Sequence, residues 1–205
     1  MIPITALKWL AVLAASYLLG SLSFSIILSK ILGRDIRQQG SGNAGATNMT
    51  RVFGWAAGAA TLAFDFLKAV AAMLIGRALL GDVGICLGGL GCLVGHCWPV
   101  FHQFKGGKGV SVGAAIGLMI DWRVMVTIVA VFLIAALLSK KVSLGSVCAA
   151  VAIVPATFVF APRAPMIALA VFGMVVTICR HAENIKRLIA GTEPDFRAAK
   201  TRKQG

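Results

Sequence analysis

The chain has 205 residues, of which 59% are hydrophobic and 13% charged, with a mean hydropathy of +0.89. A soluble domain carries about 25% charged residues, so this composition excludes that class and indicates an integral membrane protein. The charge is lopsided, +13 net, but its lysines and arginines are not interleaved with the stacking aromatics of a nucleic-acid surface, and no nucleic-acid partner is expected.

Seven apolar segments follow one another, at residues 4–28, 55–80, 83–100, 110–120, 124–138, 144–159 and 166–179. They predict an all-α integral membrane protein of about seven transmembrane helices. The first resembles a signal peptide, Lys8 preceding AVLAASYLL. It is too long for that and further spans follow, so an uncleaved helix is expected. A full crossing takes about 20 residues. The fourth and fifth segments fall short, and read as tilted, partly re-entrant, or one broken unit. No repeat or linker divides the chain. A single membrane domain over 1–205 is expected, ending in a short basic tail at about 192–205.

Seven spans place fifteen lysines and arginines on one side and only Arg77, Arg123 and Arg163 on the other. Basic residues collect on the cytoplasmic side and also face anionic lipid. The N-terminus is therefore expected outside and the C-terminus in the cytoplasm. Glycines four apart, Gly54/Gly58, Gly84/Gly88, Gly91/Gly95 and Gly113/Gly117, suit close helix packing in lipid. The five cysteines lie in or beside apolar runs without paired spacing, which argues against disulfides and for small buried hydrophobes.

Three polar segments interrupt this pattern, all on the expected cytoplasmic side. The first is GSGNAGATNMTRVFG at 40–54. Ser41, Asn43, Thr47 and Asn48 supply short hydrogen-bonding side chains, and glycines let backbone N–H groups approach an oxyanion. Arg51 adds a fork suited to phosphate, just before a helix start where anions bind. The stretch reads as an anion-binding loop, against the plainer reading of a flexible connection.

The second is GHCWPVFHQFKGGKG at 95–109, where Lys105 and Lys108 flank Gly106 and Gly107. Gly109 follows Lys108, so this is not the ATP-binding G-x-x-x-x-G-K-[ST] loop. The lysines hold phosphate or simply mark the membrane boundary. The third is RHAENIKRLIAGTEPDF at 180–196. There His181, Asn184 and either Lys186 or Arg187 share part of a helical face, bringing an imidazole able to act as base near neutral pH beside an amide and a cation. His96, Cys97 and His102 lack zinc spacing, and no acidic cluster suits magnesium, so neither metal nor cofactor is expected. Asp65 and Lys68 lie within the second span, three apart, as an ion pair or as part of a site. Ser143 and Ser146 add hydroxyls on the same side, Ser143 also being placed to cap a helix.

Taken together, SGNAGATNMTR, GHCWPVFHQFKGGKG and RHAENIKRLIAGTE, with GSLSFSIILSK and DFLK, closely resemble the membrane-integral acyl-phosphate:glycerol-3-phosphate acyltransferases of bacterial phospholipid synthesis. The resemblance spans nearly the whole chain in order. It departs at Ser23, where members often have proline, and at Trp98, where they often have phenylalanine. Neither departure removes a polar group from the site.

The resemblance implies transfer of a fatty acyl group from acyl phosphate to the 1-hydroxyl of glycerol 3-phosphate, giving lysophosphatidic acid and phosphate. It also implies residence in a bacterial plasma membrane, with the active site facing the cytoplasm; the protein is expected to be a monomer. The H-x-x-x-x-D acyltransferase signature is absent: Phe101, Gly107 and Lys186 stand five residues after His96, His102 and His181. His181, Asn184 and Ser41 become candidate catalytic groups. Arg51, Lys105, Lys108, Asn43, Thr47, Asn48, Gly106, Gly107, Ser143, Ser146 and Arg187 become candidate phosphate-binding groups. The alternative is a membrane transporter for an organic phosphate, which needs polar groups through the bilayer; only Asp65 and Lys68 offer them.

Overall fold

The computed structural model describes residues 4–195; the tail from 196 to 205, including four of the fifteen basic residues counted above, lies outside them. Apolar runs in lipid satisfy every backbone group within themselves by coiling, and the apolar segments are helical over most of their length. The helices are α1 (Ile4–Gly20), α2 (Phe24–Ile31), α3 (Ala46–Phe53), α4 (Trp55–Cys97), α5 (Val110–Ile120), α6 (Trp122–Ser139), α7 (Val142–Phe160), α8 (Ala164–Arg180) and α9 (Ala182–Ile189).

Two expectations about the elements change. The first apolar segment is broken between α1 and α2, where Ser21 N and Oγ both donate to Tyr17 O. The 40–54 segment is not all loop: its second half is α3, so Arg51 sits inside a short helix rather than just before a long one.

Helix α4 is two arms folded back at Gly81, whose φ of 59° and ψ of −136° lie outside the helical region. The arms touch backbone to backbone. A Cβ on Gly76 would collide with Gly84 O, and one on Gly88 would lie 2.7 Å from Ala72 O. On the second arm, Gly91 meets Leu13 and Ser16 while Gly95 meets Tyr17 and Ser21, so α1 runs alongside in the same direction. Small residues there allow the close approach that packing in lipid requires. The pattern fails elsewhere: Gly54 and Gly113 face open space, and Gly58 packs on Thr50 of α3.

Among the described residues, four helices are long and apolar enough to cross a membrane, or five if the bent α8–α9 pair is one span. Here α4 counts once although it doubles back. Helix α5, with 11 residues, rises only about 16 Å at 1.5 Å per residue and is short for a 30 Å core. Connections alternate between two ends of the bundle. At one end Arg163 pairs with Asp82 at 2.5 Å and Arg123 Nη2 donates to Phe160 O, joining the α4 turn, the α5–α6 junction and the α7–α8 junction. At the other end the three polar segments meet.

Candidate active site

A cleft of about 1070 Å³ opens at that second end. The N-termini of α3, α5, α7 and α9 all border it, through Ala46, Val110, Val142 and Ala182. Each N-terminus presents unpaired N–H groups and about half a positive charge. Arg37, Arg51, Lys105, Lys108, Arg180 and Arg187 line the same space, against Asp65, Glu183 and Glu193. Its chemistry is that of an anion site. Leu62, Phe104 and Phe132 add apolar wall.

The first wall is organised by Asn48, which is 3% exposed. Its Nδ2 donates to Ile36 O, Gln39 O and Asn43 O at 3.3, 2.9 and 3.0 Å, and its Oδ1 accepts from Ser41 N at 3.0 Å. Asn48 thus spends its amide on the loop. Gly40 and Gly42 have φ of +59° and +71°, a region that favours glycine, and a Cβ on Gly40 would collide with Asn48 Oδ1. Ser41, Asn43, Thr47 and Arg51 line the cleft from this scaffold.

The glycine loop enters through Gln103 and Phe104, both left-handed with φ of 57° and 58°. Such conformations cost about 1–3 kcal/mol in non-glycine residues. Arg37 Nη1 donates to His102 O at 3.3 Å, tying the first wall to this loop. Gly107 N donates to His96 O at 3.0 Å, and a Cβ on Gly106 or Gly107 would collide with His96. Gly107 therefore packs behind the loop and is not on the cleft surface, whereas Lys105, Gly106 and Lys108 are.

The third segment closes the ring. Lys108 Nζ donates to Asn184 Oδ1, and Asn184 Nδ2 donates to Glu193 Oε1 at 2.7 Å. Arg187 Nε donates to Glu193 Oε2 at 2.7 Å. Of the two cations left open by the sequence, Arg187 lines the cleft, while Lys186 is exposed and pairs with Glu183 at 2.9 Å. His181 is 2% exposed, and its Nδ1 lies 2.8 Å from Thr177 O. A carbonyl only accepts, so the proton sits on Nδ1 and the neutral ring keeps a lone pair on Nε2 for a proton.

Burial, and secondly repulsion from Arg187, lowers Lys108 to about 8. Burial raises Glu193, but the hydrogen bonds it accepts from Asn184 and Arg187 outweigh that and leave the carboxyl below its usual range. Ser146 Oγ donates to Val142 O, whereas Ser143 Oγ is buried without a hydrogen-bond partner among the described residues. Lys141, not Ser143, is the N-cap of α7.

Apart from Gly107, every candidate residue borders this one cleft. Sequence reasoning missed Arg37, Arg180, Ser111 and Glu193. Ser111 follows Lys108 at the start of α5, a place where the glycine–lysine pattern signals an anion site. Asp65 and His96 also reach the wall, and Lys68 Nζ pairs with Asp65 Oδ1 at 2.7 Å behind it. Among the described residues no group of His, Cys, Asp and Glu is arranged to hold a metal ion.

The family model described as glycerol-3-phosphate acyltransferase matches residues 10–191. Glycerol-3-phosphate acyltransferases of Thermoanaerobacter pseudethanolicus and Syntrophotalea carbinolica are each 39% identical, over 89% and 91% of this chain and 94% and 96% of theirs. Crystal structures of PlsY, an integral membrane glycerol 3-phosphate acyltransferase, superpose with TM-scores of 0.87 in the glycerol 3-phosphate form and 0.86 in the lysophosphatidic acid form. They share 35% and 34% identity with this chain, covering 91% of it and 94% of each solved chain. On these matches the chain belongs to the glycerol-3-phosphate acyltransferase family.

Proposed function

We propose that this protein transfers a fatty acyl group from acyl phosphate to the 1-hydroxyl of glycerol 3-phosphate, releasing lysophosphatidic acid and inorganic phosphate. The observation that carries the reading is the convergence of four helix N-termini and six basic side chains on one cleft. Two phosphate-bearing substrates require such a surplus of positive potential. Family membership supplies the acceptor; the acyl-phosphate donor rests on the motif resemblance.

In this reading Arg51, Lys105, Lys108 and Arg187 bind phosphate oxygens, aided by Ser41, Asn43, Thr47, Ser143 and Ser146. Asn48 acts by holding its loop, and Gly106 and Gly107 by letting the next loop lie against His96. The 1-hydroxyl oxygen attacks the acyl carbonyl carbon, and the bond from that carbon to the phosphate oxygen breaks. The hydroxyl proton passes to His181 Nε2 or to a substrate phosphate, and Asn184 holds Lys108. An acyl phosphate already has a good leaving group, so positioning and charge stabilisation suffice as the catalytic resource.

The chain crosses a bacterial plasma membrane seven times as a single-domain monomer, the two arms of α4 counting separately and the short α5 counting as one crossing. Its N-terminus is outside, and the cleft faces the cytoplasm, where glycerol 3-phosphate is delivered from water while the acyl chain stays in lipid. The organic-phosphate transporter loses its support, since Asp65 and Lys68, its intramembrane groups, pair with each other. Incubation of purified protein with labelled glycerol 3-phosphate tests the donor. Palmitoyl phosphate yields lysophosphatidic acid and palmitoyl-CoA does not; the reverse preference overturns the assignment.

A further inference from the structure

The proposed chemistry lies on two segments, residues 106–108 and residues 180–184, and the structure ties them together twice. One tie is Lys108 Nζ to Asn184 Oδ1. The other is Arg180, whose Nε donates to Gly107 O at 3.1 Å and whose Nη2 donates to Gly106 O at 3.3 Å. The planar fork thus spans two consecutive carbonyls. Behind it, the guanidinium carbon lies 5.3 Å from the centroid of the Trp98 ring, within cation–π range. Trp98 is itself held, its N donating to Val94 O at 2.8 Å and its O accepting from Tyr17 Oη at 3.0 Å.

The two ties differ in what happens when substrate arrives. Lys108 spends one of its three N–H donors on Asn184 and has to turn the others to a phosphate on a flexible stem, so this tie can shift. Arg180 spends two donors on carbonyls, which only accept and have no reason to leave. On its other side the loop is held by Gly107 N to His96 O, so it is wedged between His96 and Arg180. Arg180 also ends α8 and is followed directly by His181, whose ring is fixed on Thr177 O. A single contact between two segments is a pivot, whereas two fix their register.

We propose that Arg180 is a positioning residue: backed by Trp98, its guanidinium holds the Gly106–Gly107 carbonyls to the end of α8, so that Lys108 and His181 keep their spacing while substrate occupies the cleft. This rests on the acyltransferase reading of the cleft. Lysine cannot replace the fork, because it presents a point charge on a flexible stem.

The test is steady-state kinetics of Arg180→Lys beside wild type, with hydrogen–deuterium exchange of the 106–110 amides. The variant loses on the order of a hundredfold in kcat, as misplacement of reacting groups does, while KM for glycerol 3-phosphate changes by less than about threefold. Exchange of the loop amides accelerates. Added guanidinium restores part of the kcat of Arg180→Ala, and Trp98→Phe, which keeps the hydrogen bonds but weakens the platform, shows a smaller loss of the same kind. Unchanged kcat in Arg180→Lys, or a raised KM at unchanged kcat, overturns the positioning role, the latter because it marks a direct substrate ligand. Failure of wild type to make lysophosphatidic acid defeats the acyltransferase reading instead, and unaltered loop exchange in Arg180→Lys defeats the clamp irrespective of activity.

Discussion

Lys108 Nζ donates a hydrogen bond to Asn184 Oδ1, so the glycine loop and the start of α9 meet inside the cleft. The Asn184 amide is oriented by that contact and by Glu193, which accepts from its Nδ2 at 2.7 Å. A lysine held this way is partly desolvated, and its charge becomes sensitive to pH near neutrality.

The pH profile follows. Burial, and secondly the charge of Arg187, set Lys108 at about 8. In the proposed role the ammonium is the form that binds phosphate, and it is present below that value and lost above it. The kcat/KM for glycerol 3-phosphate therefore declines as pH rises through about 8, approaching about tenfold per unit. Arg187→Gln removes the second cause and moves this limb upward. A limb in the ordinary lysine range, near about 10.4, contradicts the account.

His181 is tested by Ala and Gln replacement. If its Nε2 takes the hydroxyl proton, kcat falls by about 10²–10⁴-fold with little change in KM. Near-wild-type kcat assigns the proton to a substrate phosphate instead.

Gly106→Ala places a methyl against His96 O and 2.6 Å from Pro99 Cδ. Backbone cannot yield as a side-chain tip can, so the variant loses about 1–3 kcal/mol of stability to overpacking, along with most activity. Thermal unfolding in detergent and the acyltransfer rate measure the two effects. A fully stable, active Gly106→Ala contradicts the wedged loop.

Asn48→Ala strips partners from three carbonyls and one N–H of the first wall. At about 1–3 kcal/mol for a buried group left unsatisfied, the loop loosens and KM rises. An unchanged KM would mean that the loop is held by other contacts.

Much of the architecture is legible in the sequence because apolar runs in lipid have few options. Even the α4 turn is visible, where the run lapses at Gly81–Asp82. Helix α3 is not: it is only eight residues long, and Thr47, Asn48, Thr50, Val52 and Phe53 have weak helical preference, so it forms because Asn48 and Met49 find buried partners. The three polar segments announce an anion site by composition, yet Arg180 looks like a boundary charge at the end of an apolar run. Glu193 looks like part of a tail. Their roles depend on contacts seventy or so residues distant for Arg180 and on the bend after Gly191, with φ of +70°, for Glu193. Nor does any local pattern foretell left-handed backbone at Gln103 and Phe104, since only the folded loop imposes it.

The most direct test is the initial rate of lysophosphatidic acid formation from palmitoyl phosphate and glycerol 3-phosphate, measured for folded wild type and Lys108→Ala together. The account predicts steady product from wild type and a loss of about a hundredfold or more in the variant, as for removal of a charge-stabilising donor. No product from folded wild type, or equal rates from the two proteins, would contradict it.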